Sequence, residues 1–120
     1  MAIRYFVADV DAALDFYVGV LGFEKLEQWG PAIAMVKWED QVLWLSGPIS
    51  SAARPMPDGR VPEPGGWNRI VMPVPDVEAL AAALKDAGVS FRGEIITGPG
   101  GTQLLIQDPD GNPIELFQSR

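Results

Sequence analysis

The segment VADVDAALDFYVGVLGF, residues 7–23, recurs in altered form as VPDVEALAAALKDAGVSF, residues 74–91. Each copy opens on Val-x-Asp-Val and an acidic residue, and each closes on a glycine and then an aromatic, at once in Gly22-Phe23 and after two residues in Gly88–Phe91. The two aspartates, Asp9 and Asp76, stand 67 residues apart in a chain of 120, so the repeating unit is about half the molecule. That constrains the fold more than any other feature, because a unit of this size must be one supersecondary motif used twice. Each Asp suits an N-cap, where its carboxylate accepts a bond from a backbone N–H that the helix leaves unpaired. Val10, Leu14, Tyr17 and Leu21 then recur at helical spacing, as do Val77, Leu80, Leu84 and Ala87. Gly22 and Gly88 fit the left-handed C-cap position.

Strand-like runs flank both helices. IRYFVA (3–8) and NRIVMPV (68–74) lead into them. PAIAMVKW (31–38) and QVLWLS (41–46) follow the first, joined by Glu39-Asp40 as a two-residue hairpin loop. FRGEIIT (91–97), GTQLLIQ (101–107) and PIELFQ (113–118) follow the second, the last introduced by the turn formers of DPDGN (108–112). The predicted fold is α+β: two βαβββ modules, at about 1–46 and 67–120 of a single domain 1–120. Their strands build a curved mixed sheet with helices on its outer face. Between them GPISSAARPMPDGRVPEPGG (47–66) is too rich in Pro, Gly and Ser for regular structure and reads as a linker loop.

Several function classes are excluded by what the chain lacks. With no cysteine there is no disulfide and no thiolate metal site. With no histidine the commonest general base and the commonest transition-metal ligand are missing. A net charge of −7 argues against nucleic acid, whose phosphates need clustered Lys and Arg. No apolar run approaches the ~18–20 residues of a membrane span, and MAIRYFVADVD lacks the layout of a signal peptide. The cytoplasm is therefore the expected location, with no membrane partner.

The first-half motif DVDAALDFYVGVLGFEKL, the terminal DPDGNPIELF and the internal repeat together resemble the vicinal oxygen chelate superfamily: glyoxalase I, extradiol dioxygenases, fosfomycin-modifying enzymes and bleomycin-resistance proteins. The resemblance spans essentially the whole chain. It implies paired modules forming a cup, usually built between two subunits, that holds a ligand or a metal. The family's metalloenzymes take one ligand from the first strand of each module and one from a later strand. Those positions fall here on Ala2, Trp44, Arg69 and Glu115, which supply one carboxylate. No metal and no other cofactor are expected.

If Trp44 and Arg69 face into the cup, the period of two sends Val42, Ser46, Trp67 and Val71 the same way, with Arg4 and Phe6 on the first strand. Met35 pairs with Trp44 across the hairpin and shares its face. The candidate ligand-binding set is Phe6, Met35, Trp38, Trp44, Trp67, Arg69 and Glu115, although Trp38 falls outside that parity. Each tryptophan has core packing as its alternative. Glu115 is open to three readings: a solvated carboxylate, a metal ligand short of companions, or a partner for Arg69 or for a polar ligand group.

The resemblance to the bleomycin-resistance branch implies a homodimer that sequesters an aromatic antibiotic, cationic ones included, or a toxic metabolite in pockets at the subunit interface, with no catalytic residues. Two alternatives stand beside it. One is a metal-independent lyase or isomerase with Glu115 or Asp110 as base and Arg69 or Arg4 as electrostatic partner. The other is a regulatory dimer with a vestigial pocket.

Overall fold

The computed structural model describes all residues from Met1 to Arg120. The chain forms two compact units, Met1–Pro64 and Gly65–Arg120, each built on one copy of the repeat.

In the first unit β1 (Ala2–Phe6) leads to α1 (Val10–Leu14), which runs on as a π-helical turn over Asp15–Val20. Three strands follow: β2 (Glu24–Trp29), β3 (Ile33–Trp38) and β4 (Gln41–Ser46). The sheet order is β1-β4-β3-β2, with β1 parallel to β4 and the other pairs antiparallel. This is the expected βαβββ module. Asp9 caps α1, its carboxylate accepting from the Ala12 N–H at 3.1 Å. Alternation then divides the sheet. Tyr5, Ala34, Val36, Leu43 and Leu45 are buried with Val10, Ala13, Leu14 and Tyr17 of the helix, while the alternate residues are left on the opposite face. Glu39 and Asp40 make the tight loop between β3 and β4, Glu39 in the left-handed region at φ 51°.

The helical stripe read from the sequence breaks after Leu14. Phe16 and Tyr17 are adjacent, and both are buried. Over Asp15–Val20 the helix takes the wider π winding, in which backbone N–H groups bond five residues back and not four. The Leu21 N–H accordingly reaches back five residues to the Phe16 carbonyl at 3.0 Å, and Leu21 ends half-buried.

In the second unit β5 (Ile70–Pro73) leads to α2 (Val77–Asp86), then β6 (Ser90–Phe91), β7 (Ile96–Gly98), β8 (Gly101–Gln107) and β9 (Pro113–Ser119). β5 runs parallel to β9, β9 antiparallel to β8, and both β6 and β7 pair with β8. The run 91–97 is thus two short strands interrupted at Gly93-Glu94, still one βαβββ module in outline. Asp76 caps α2 by accepting from the Ala79 N–H at 3.0 Å, and Gln118 Oε1 accepts from the Val77 N–H at 2.9 Å. The α2 face that packs is Val77, Ala81 and Leu84, against Ile70, Met72, Leu104, Ile106, Ile114 and Leu116. Leu80 is only half-buried and Ala87 is exposed, because the buried stripe is narrow and centred on Ala81.

The terminal turn is a small buried network. Asp108 is 4% exposed, and its Oδ1 accepts from the N–H groups of Asp110 and Asn112, both at 2.9 Å. Asn112 Nδ2 donates to Asp108 Oδ2 at 2.8 Å, and Asn112 Oδ1 accepts from the Gly65 N–H at 2.8 Å. The linker carries one short 3₁₀ turn, Ser51–Ala53. No helix is long and apolar enough to cross a membrane.

Candidate functional site

Each unit carries an arginine–tryptophan pair on the face of its sheet turned from its helix. In the first unit the pairing register sets Trp44 between Arg4 on β1 and Met35 on β3. Directly opposite residues share a face, so these three side chains project together, with Phe6 beside Ser46 one pair along. The Arg4 guanidinium lies 5.0 Å from the Trp44 ring centroid, and its Nη1 donates to Ser46 Oγ at 3.2 Å. An open cleft of about 530 Å³ runs over this face, lined by Met1, Ala2, Ile3, Arg4, Val42 and Trp44.

In the second unit Trp67 and Arg69 precede β5, and Glu115 lies on β9 opposite Val71 and Leu105. Glu115 is 9% exposed. Arg69 donates to its Oε1 twice, from Nη2 at 2.8 Å and from Nε at 3.1 Å. Of the readings open for this carboxylate, the structure shows the pair with Arg69. Because both donors converge on Oε1, the second oxygen remains available to a ligand group. A cleft of about 200 Å³ is lined by Trp67, Arg69, Arg92, Gln103, Leu105 and Glu115, among others.

Arg92 escaped the sequence reading. Its guanidinium lies 4.5 Å from the Trp67 ring centroid, Nε donates to Gln107 Oε1 at 3.0 Å, and Nη2 donates to the Gly111 carbonyl at 2.7 Å. Nη1 donates to the Gly66 carbonyl. Arg92 therefore ties the segment bearing Trp67 to the terminal turn, which the Asn112–Gly65 bond does as well. Each of these contacts joins residues 15 or more positions apart, so no local pattern announces them. Trp29 was also missed. It stands opposite Ile33 on the Met35–Trp44 face and is 51% exposed; its strand EKLEQW has no apolar side to reveal it.

The structure brings Phe6, Met35 and Trp44 together on one face of the first unit, and Trp67, Arg69 and Glu115 together in the cleft of the second. It does not bring Trp38 to either. Trp38 shares the parity of Ala34 and Val36 on the helix side of the sheet, its ring 6.5 Å from that of Phe23.

The register also aligns the two units. Trp44 faces Arg4, and Glu115 faces Val71. Val71 precedes its capping Asp76 by the same interval as Arg4 precedes Asp9, so Trp44 and Glu115 hold equivalent places in the repeat. A sequence profile of the Glyoxalase/Bleomycin resistance protein/Dioxygenase superfamily matches residues 2–116.

The chain belongs to that superfamily. Solved structures agree. A member of the superfamily from Sphaerobacter thermophilus is 30% identical, with 99% of this chain and 97% of that one covered and a TM-score of 0.76. TnmS3, an antibiotic binding protein from a Streptomyces species, is 31% identical over 100% of this chain and 96% of its own, with a TM-score of 0.70. Lactoylglutathione lyase from Agrobacterium tumefaciens, 22% identical over 98% of this chain and 91% of its own, shares the fold at a TM-score of 0.76. No curated protein matches the chain significantly. The superfamily thus embraces both binding proteins and enzymes.

The divalent metal of the superfamily's metalloenzymes does not fit the donors present. Nowhere do three or more acidic side chains gather as a metal site would need. At the equivalent strand positions Ala2 and Trp44 offer no donor, Arg69 is cationic, and Glu115 already shares one oxygen with Arg69. A single partly neutralised carboxylate cannot fill a shell of four to six ligands.

Proposed function

We propose that this chain is a binding protein that sequesters an aromatic small molecule, of antibiotic or toxic-metabolite type, and releases it chemically unchanged. The observation that carries the reading is the Arg4–Trp44–Met35 face. An indole flanked by a planar cation and a polarizable thioether is a stacking platform with no reactive group on it. Trp67, 68% exposed above Arg92, offers a second such surface. An enzyme would need a base, and the leading one, Glu115, is held by Arg69. No nucleophile lies beside a base elsewhere in either cleft. The 31% identity to TnmS3, which is described as an antibiotic binding protein, supports the same direction.

In this proposal the chain is a cytoplasmic homodimer whose pockets form at the subunit junction, with Phe6, Met35, Trp44, Trp67, Arg69 and Glu115 lining them and no metal taking part. Light scattering should then give twice the monomer mass.

The test is incubation with a panel of polycyclic aromatic compounds, followed by recovery and mass analysis. The expected result is tight, saturable binding with the ligand recovered intact. Trp44→Ala should weaken binding by about tenfold, since each aromatic pair contributes about 0.5–1.5 kcal/mol beyond area burial. A ligand returned altered with turnover replaces sequestration by catalysis.

A further inference from the structure

The two arginine–tryptophan pairs differ in what remains of the arginine. In the second unit every nitrogen of Arg92 is engaged, with Gln107, Gly66 and Gly111; that guanidinium is a fastener. Arg4 makes one hydrogen bond, from Nη1 to Ser46 Oγ, and its Nε and Nη2 donors are left for a further acceptor. Nor is its charge cancelled. The chain's two ion pairs are Arg60–Asp58 and Arg69–Glu115, and none of the six residues lining the cleft over Arg4 is acidic.

We propose that the Arg4–Trp44 face selects aromatic ligands that carry a negative charge, a carboxylate or phenolate attached to the ring. This deepens the sequestration reading and rests on it. With its Cζ 5.0 Å from the indole centroid and Nη1 on Ser46, the guanidinium keeps Nε and Nη2 as a two-pronged donor, the geometry that suits a carboxylate. A cationic ring would instead meet Arg4 at contact distance.

The net charge of −7 points the other way, so distance must decide. On the same sheet face Lys37 is opposed by Glu24, which leaves that pair neutral. Glu27 lies opposite Met35 on β2, three strands from Arg4 in the order β1-β4-β3-β2. At about 4.8 Å per strand that is roughly 14 Å, beyond the Debye length of about 8 Å at physiological ionic strength. Neither of these two glutamates therefore offsets the charge of Arg4.

The experiment is equilibrium dialysis of the full chain at physiological salt with three probes sharing one ring: 2-naphthoate, 2-naphthamide and 2-naphthylmethylammonium. The expected order is naphthoate tighter than naphthamide by about tenfold, with the ammonium weakest. Arg4→Gln should abolish the naphthoate advantage, bringing naphthoate and naphthamide to the same affinity within about twofold. Arg4→Lys, which keeps the charge without the fork, should retain part of the advantage. An advantage that survives Arg4→Gln, or an ammonium probe that binds tightest, overturns the proposal. If all three bind alike and Trp44→Ala weakens each, charge selection fails and the stacking platform stands. If no probe responds to Trp44→Ala, the platform fails with it.

Discussion

The two halves of the repeat begin alike and end differently. Both helices are capped by an Asp that accepts from the third residue on, at 3.1 Å in one and 3.0 Å in the other. Both end at a glycine in the left-handed region, Gly22 at φ 84° and Gly88 at φ 81°. Between those fixed points the first half has one residue more than the second, and it is absorbed as the π-helical turn at Asp15–Val20. Tyr17 and Leu84 stand at the same distance from their caps, and each carbonyl accepts the bond that closes its helix. Phe23 N–H donates to Tyr17 at 2.8 Å, and Val89 N–H donates to Leu84 at 3.0 Å. The lesson is that a duplicated unit tolerates an insertion where a bulky aromatic pair can use the widened turn.

The largest effect that tests this comparison is on the two matched positions. Tyr17 is 0% exposed and packs edge-on against Phe16 and Phe23 at centroid distances of 5.2 and 5.3 Å. Tyr17→Ala should cost about 3–5 kcal/mol and Leu84→Ala about 2–5 kcal/mol in urea unfolding. A Tyr17 loss clearly below that of Leu84 would break the link between the aromatic cluster and the π turn. Next comes the terminal turn, which the first half replaces with the exposed Glu39-Asp40 loop. Asp108→Ala should cost about 1–3 kcal/mol, because it leaves buried donors unpaired, whereas Asp40→Ala should lie within about 0.5 kcal/mol of wild type.

Smaller still, Asp9→Ala and Asp76→Ala should each cost about 1 kcal/mol. Their near equality, read by thermal and chemical unfolding, is the signature of two equivalent caps. The smallest effect has the opposite sign. Gly19 lies inside the π turn with open space where a Cβ would sit, so Gly19→Ala should stabilise by about 0.5–1 kcal/mol.

What the sequence discloses and what it hides divide along the same physical line. The caps, the β3–β4 hairpin, β8 and the placing of Trp44 against Met35 follow from short-range chemistry: a side chain bonding its own helix, a two-residue loop, a period of two. β2 stayed hidden because EKLEQW is exposed at almost every position and shows no buried stripe. The interruption at Gly93-Glu94 stayed hidden because its strands are defined by the partner β8, not by their own residues. Arg92 is legible only once Gly66, Gln107 and Gly111 are neighbours in space. Trp38 obeys the period of two, which sets it on the helix side with Phe23. Its aromatic character suggested the pocket, but its parity decides its place.

The bonds from Gly65 N–H to Asn112 and from Arg92 to the Gly66 carbonyl have a consequence for how this chain can vary. They moor the strand-leading segment two residues or fewer before Trp67, so the indole takes its bearing from the C-terminal turn and not from the loop that arrives there. Upstream, Gly47 and Ser50 are hydrogen-bonded into the first unit, whereas residues 54–64 are almost wholly exposed and carry no helix or strand. Doubling such a loop costs only about 0.6 kcal/mol in closure entropy, and the mooring absorbs the change before it reaches the ring. Insertions, deletions, a tag or a new pair of termini belong in that stretch, where they leave the anchoring of the Trp67 segment untouched.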